Sequence, residues 1–257
     1  MPETSPCPRS MVDTAPMSTQ VARRTPGQLR GFLRAVHPRQ AVVFAVAVGG
    51  LVALMGRPGR EVMVAGAAVL VAQLAMGLVN DIVGIDEDRS SGVEGKPLAD
   101  GVIPVGNATY AVAVLLLLVL PLSLQNGVVA GVFLLVTLVV GFVHNRWLRP
   151  TVLSWVGWAA TFALLTYFVT LGGWGQEADG SEPLTSFVVL GAVLGVCVHF
   201  LTSLPDLVVD NQARVRHLPL RVALRTGAPR LLVIMLVLTL VVLAALIYTA
   251  LASGIAR

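Results

Sequence analysis

Residues 80–97 read NDIVGIDEDRSSGVEGKP and close an apolar run long enough to span a membrane. The chain has 14 acidic residues, and four of them, Asp81, Asp86, Glu87 and Asp88, fall within these few positions. A second acidic stretch, Pro205-Asp206-Leu207-Val208-Val209-Asp210, closes a later apolar run. Read as helix at about 100° per residue, Asn80, Asp81, Glu87 and Asp88 share one face and Asp86 points away. Asp206 and Asp210 are one helical turn apart, so they also share a face, where like charges repel unless a cation or a proton intervenes. Carboxylates and a carboxamide on one face are hard oxygen donors suited to Mg²⁺. Cations lie near each cluster: Lys96 by the first, Arg214 and Arg216 by the second, and Arg146 and Arg149 in the HNRWLRP segment that follows His144 and Asn145. Acids interleaved with bases suit a metal–diphosphate complex.

Composition places these stretches in a membrane protein. Hydrophobic residues make up 56% of the 257 and charged residues 12%, with a mean hydropathy of +0.81. A soluble domain carries about 25% charge. The apolar runs are continuous over about 20 residues, which predicts spanning helices and excludes barrel strands that alternate over about ten. The sequence predicts an all-α integral membrane bundle of seven spans, near 38–56, 61–80, 104–123, 125–144, 152–172, 185–204 and 229–252. Residues 1–28, rich in Pro, Ser, Thr and Met and without an apolar core segment, read as a disordered tail and not as a signal peptide. Residues 29–257 read as one transmembrane domain, led in by a basic interfacial helix with Arg30 and Arg34. Cys7 and Cys197 form no disulfide or metal pattern.

With the N-terminus in the cytoplasm, fifteen of the 18 Lys and Arg residues fall on the cytoplasmic side and Arg57, Arg60 and Arg257 on the other. That bias sets orientation, and it accounts for the net charge of +4 without nucleic acid. The loop 173–184 carries only negative charge, as an outer loop can. Both acidic stretches then lie at one face, after spans two and six.

The pattern resembles the UbiA superfamily of intramembrane prenyltransferases. The family's NDxxDxxxD motif, followed by a basic-Pro pair, is matched by Asn80-Asp81, Asp88 and Lys96-Pro97, and its DxxxD motif by Asp206 and Asp210. In HNRWLRPTVLS, His144 stands where members often have Tyr and Arg149 where they have Lys. The resemblance covers about Arg34 to Arg230. It implies Mg²⁺-dependent transfer of an isoprenyl group from an allylic diphosphate to a small, commonly aromatic acceptor within the membrane (the plasma membrane if the source is bacterial), with the active site cytoplasmic. It implies that Asp81, Asp88, Asp206 and Asp210 are catalytic. Asn80, Asp81, Glu87, Asp88, Asp206 and Asp210 would serve two metal sites, and Lys96, Arg149, His144, Asn145 and Arg34 would hold substrate. Two departures stand out. The middle Asp of the first motif is Gly84, with Glu87 on the correct face to replace it, and the seven spans are fewer than the family's usual nine.

Two other readings keep the fold: a cyclase, in which the allylic cation is trapped by its own chain, and a non-catalytic descendant. A transporter would place ionisable groups at mid-membrane and show internal repeats; the acids here lie at helix ends and no repeat is visible.

Overall fold

The computed structural model describes residues 26–92, 95–174, 183–212 and 215–252. Most of the expected N-terminal tail, Cys7, Arg214 and the greater part of the acidic loop 173–184 lie outside the described residues. Residues 26–28, expected in the tail, form the first turn of a helix.

Every ordered segment among the described residues is helical. The helices are α1 (Pro26–Ala35), α2 (Pro38–Leu54), α3 (Gly59–Val83), α4 (Ile85–Ser91), α5 (Val105–Leu124), α6 (Val128–Val143), α7 (Ser154–Leu171), α8 (Thr185–Ser203), α9 (Leu207–Gln212), α10 (Leu218–Thr226) and α11 (Ala228–Ala252). Six of them are long and apolar enough to cross a membrane, and the bent pair α1–α2, with 46° between its parts, makes a seventh candidate. All seven expected spans therefore correspond to helices. The first reaches span length only as the bent pair, because α2 alone runs 17 residues. The bend falls at His37, which adopts a left-handed backbone (φ 48°) just before Pro38. Proline disfavours helical geometry in the residue before it, so α1 ends there and a new helix starts at the proline.

Sequential helices pack as antiparallel neighbours, and α2, α3, α6 and α7 enclose a common core. Its buried members include Val48, Val52, Ala68, Leu134, Leu165 and Phe168. Between α7 and α8 the approach is close: a methyl group on Gly195 would sit 2.4 Å from the Trp158 carbonyl oxygen. Small residues allow this where lipid and core are equally apolar and only packing holds helices together. The outward faces of α5 and α11 are apolar and exposed (Leu117, Leu240 and Val241 among them), as surfaces facing lipid should be.

The three long connections at the end bearing the acidic stretches are structured. Segment 96–103 folds back so that Leu98 and Ile103 bury against Ala35, Leu78 and Ala108. Residues 204–212 and 215–227 are anchored by Leu207, Leu220 and Ala223 against Phe200 and Leu231. Between α6 and α7, His144–Leu148 makes a single wide π-helical turn, closed by the Arg149 N–H donating to the His144 carbonyl (2.8 Å). Such turns frequently occur at functional sites.

Candidate active site

A cavity of about 340 Å³ opens at this end of the bundle. His37, Asn80, Lys96, Arg149, Asp206 and Asp210 line its polar part, and Phe44, Val69, Leu134, Trp158, Phe162 and Leu165 its apolar part. Val69, Leu134 and Leu165 belong also to the shared core, so the core forms the cavity floor.

The first acidic stretch is split by its glycine. Helix α3 ends at Val83, Gly84 forms the joint, and α4 continues with the Asp88 N–H donating to the Gly84 carbonyl (2.9 Å). Asp81 is buried (3% exposed); its Oδ1 lies 3.1 Å from His37 Nε2 and 3.5 Å from Lys96 Nζ. The same Nζ is 3.5 Å from Asp88 Oδ2. The fold-back of residues 96–103 is what delivers this lysine. Asp86 is 95% exposed and points away, as its helical phase requires.

Glu87 differs from expectation. It lines a separate, smaller cavity with Val83, Gly84 and Arg146, while Arg149 and Asn145 border both cavities. The space beside Gly84 is taken by Arg149: a methyl group at residue 84 would lie 3.4 Å from the Arg149 Nη1. Arg149 Nη1 donates to the Asn80 side-chain oxygen (3.5 Å), and Nη2 is 3.9 Å from Glu87 Oε2.

The second stretch lies in the turn after α8 and in α9. Asp210 is buried and accepts from His217 Nε2 at 2.8 Å. His217 Nδ1 accepts the Leu220 N–H (3.1 Å), which fixes Nε2 as the proton-bearing nitrogen. Asp206 lines the cavity with no ion pair within 4 Å among the described residues. Burial pushes its carboxyl above the usual range and Asp210 adds to this; Lys96 and Arg149 oppose the shift.

Of the expected substrate residues, Lys96, His144, Asn145 and Arg149 line the cavity. Arg34 is exposed on α1 and lies outside the lining. The sequence reading missed three residues. All four histidines of the chain, His37, His144, His199 and His217, line this one cavity. His144 is buried, and its Nδ1 has no hydrogen-bond partner among the described residues. The ring fits only because residue 157 is glycine, where a methyl group would lie 2.7 Å from the His144 Cβ and Nδ1. His199 stacks on Trp158 (5.7 Å between centroids) and bonds Ser154 Oγ (2.9 Å), which also accepts the Leu218 N–H (3.4 Å). The rarity of histidine here, with each copy at or near the same end of a helix, was the available signal.

Among the described residues no three acidic, histidine or cysteine side chains converge on one point. The possible cation ligands are instead two groups: Asn80, Asp81 and Asp88, of which Asn80 is in the cavity lining and the two carboxylates are not, and Asp206 and Asp210, both in the lining, with Lys96 and Arg149 close enough to act on Asp206.

A multi-span helical bundle with a cavity that has an apolar floor and a charged mouth is the class that fold and site define. The UbiA prenyltransferase family profile matches residues 40–256, and the chain belongs to that family. A UbiA homologue from Archaeoglobus fulgidus bound to GPP and Mg²⁺ superposes with a TM-score of 0.66 at 17% identity, covering 86% of this chain and 78% of that one. The same homologue bound to DMAPP and Mg²⁺ gives 0.65 at 17% identity, with 86% and 78% covered. A digeranylgeranylglyceryl phosphate synthase gives 0.57 at 18% identity, covering 84% of this chain and 76% of that one. At these identities the likeness is one of fold. No protein of curated function matches the sequence.

Proposed function

We propose that this chain, with residues 29–257 acting as one domain, transfers an isoprenyl group from an allylic isoprenyl diphosphate to a small aromatic acceptor inside the membrane. The observation supporting this is the cavity itself: an apolar floor for a hydrocarbon tail below a mouth where Asp206, Asp210, Lys96 and Arg149 meet. The Lys/Arg bias supports a cytoplasmic mouth.

Mg²⁺ fits the second stretch. Asp206 and Asp210 are adjacent hard-oxygen donors, and Asp206 is raised by burial beside its neighbour, so a cation there relieves repulsion. When bound, Mg²⁺ supplies neutralisation of the diphosphate and so eases loss of the leaving group. Across the mouth, Lys96 and Arg149 donate charge-assisted hydrogen bonds to phosphate oxygens. The apolar wall excludes water from the carbon centre as the C–O bond breaks. The faces of Trp158 and Phe162 offer π-density to the developing positive charge. A carbon–carbon bond to the acceptor forms, diphosphate departs, and the acceptor loses a proton. His144, whose Nδ1 is buried and unpartnered among the described residues, lines this space.

The test is diphosphate release by the full chain in nanodiscs with Mg²⁺ and geranyl, farnesyl or geranylgeranyl diphosphate, with and without aromatic acceptors. Acceptor-dependent release with a prenylated product is expected. Release of a cyclic hydrocarbon without acceptor would instead identify a cyclase. No release, and no Mg²⁺-dependent binding of any donor, would sink the enzymatic reading.

A further inference from the structure

The two acidic stretches differ in what already balances them. In the first, the chain's own side chains already engage the possible ligands: His37 and Lys96 contact Asp81, Lys96 contacts Asp88, and Arg149 contacts Glu87 and Asn80, the one of these four that lines the cavity. In the second, Asp210 is held by a histidine, and Asp206 faces the cavity with no ion pair among the described residues. Gly84 sharpens this contrast. Its missing side chain leaves the room that the Arg149 guanidinium occupies, with Nη1 3.4 Å and Asp88 Oδ2 3.8 Å from where a Cβ would be. A side chain at residue 84 would come into van der Waals contact with this guanidinium.

We propose that Arg149 takes the place of a metal ion at the first stretch, so that this chain binds a prenyl diphosphate with one divalent cation, held by Asp206 and Asp210, opposite a fixed guanidinium. The inference rests on the prenyl diphosphate reading above and specifies its metal requirement. Physically, the exchange is sound. A guanidinium stays charged at all relevant pH and offers a planar fork of donors matched to phosphate oxygens. Its backbone leaves the π-helical turn beside the cavity, and its guanidinium contacts Asn80 and Glu87. A divalent ion among Asn80, Asp81 and Asp88 would have to displace Lys96 and His37 and sit beside Arg149, where like charge opposes it.

The experiment counts metal. The full chain in detergent is titrated with Mn²⁺ as the probe for Mg²⁺, in the presence of unreactive geranyl thiolodiphosphate, and bound Mn²⁺ is read by electron paramagnetic resonance and calorimetry. One Mn²⁺ per chain is expected in the wild type. Asp206→Ala is expected to remove it, and Asp88→Asn to leave the count at one. Arg149→Ala keeps one Mn²⁺ but weakens the analogue about ten- to a hundredfold, the loss typical of a hydrogen bond to a charged group. Gly84→Asp combined with Arg149→Ala is expected to raise the count to two. Two Mn²⁺ in the wild type, or loss of the single ion in Asp88→Asn, overturns this inference and leaves the prenyl diphosphate reading standing. Failure of the wild type to bind either Mn²⁺ or the analogue overturns both. The wild-type count needs no variant to fold.

Discussion

The two ends of the bundle use polar side chains in opposite ways. At the end away from the cavity mouth, polar groups bond to backbone. Arg57 donates to the carbonyls of Val169 (2.7 Å) and Gly172, Trp174 Nε1 donates to Gln125, and Asn126 accepts the Gly173 N–H at 3.0 Å while its amide donates to Leu122. Arg60 lies over the Trp174 ring, 4.8 Å from its centroid. Glu61 is buried nearby and favours the charged form of Arg57, against the burial that lowers it. At the mouth, polar side chains bond to one another across open space. A side chain spent on a carbonyl is a fastener. One paired only with another side chain keeps the ability to exchange that partner for a ligand.

This contrast can be broken at either end. The largest effect is expected at the mouth: Asp206→Ala or Asp210→Ala should reduce turnover on the order of a hundred- to a thousandfold, the scale for losing a charge-stabilising group, with little change in melting temperature. Next, Gly157→Ala should push the His144 ring out of place. Overpacking of this kind costs roughly 1–3 kcal/mol, so a lower melting temperature should accompany a turnover loss matching that of His144→Ala. At the opposite end, Arg57→Ala should destabilise by about 1–3 kcal/mol, because two carbonyls lose their donor, while Mn²⁺ and analogue binding stay at wild-type levels. Trp174→Phe, which keeps the ring and loses one donor, should cost about 0.5–1.5 kcal/mol in thermal unfolding. If Arg57→Ala altered metal binding, or Asp206→Ala chiefly lowered stability, the division between the two ends would fail.

The span pattern was legible in the sequence because hydropathy reports depth along a helix. The acidic stretches were legible because charge at a helix end in a membrane chain is conspicuous. Which way each helix faces was harder to read, since lipid and interior are both apolar and Val, Leu and Ala suit either. That is why Phe44, Trp158 and Phe162 could not be assigned to the cavity in advance. The surroundings of residue 87 were hard to read for a related reason. Extending one helix through Gly84 phased Glu87 correctly around the axis but took no account of Arg149, which arrives from a segment more than sixty residues later. The histidines were hidden in the same way: His37 reaches Asp81 only through the left-handed bend before Pro38, and His144 is admitted by a glycine on another helix. Arg34, singled out for its charge, stays on the exposed face of α1.

The cavity floor is the solid core shared by α2, α3, α6 and α7, and that imposes a traffic rule. Under the reaction proposed above, a donor must go in tail first and leave its headgroup lodged in the polar doorway, which then blocks that route for anything following. The acceptor has therefore to be inside beforehand, or to slip in sideways from the bilayer. Departure runs in the reverse sense: the diphosphate, already at the threshold of water, leaves first, and the greasy product waits behind it.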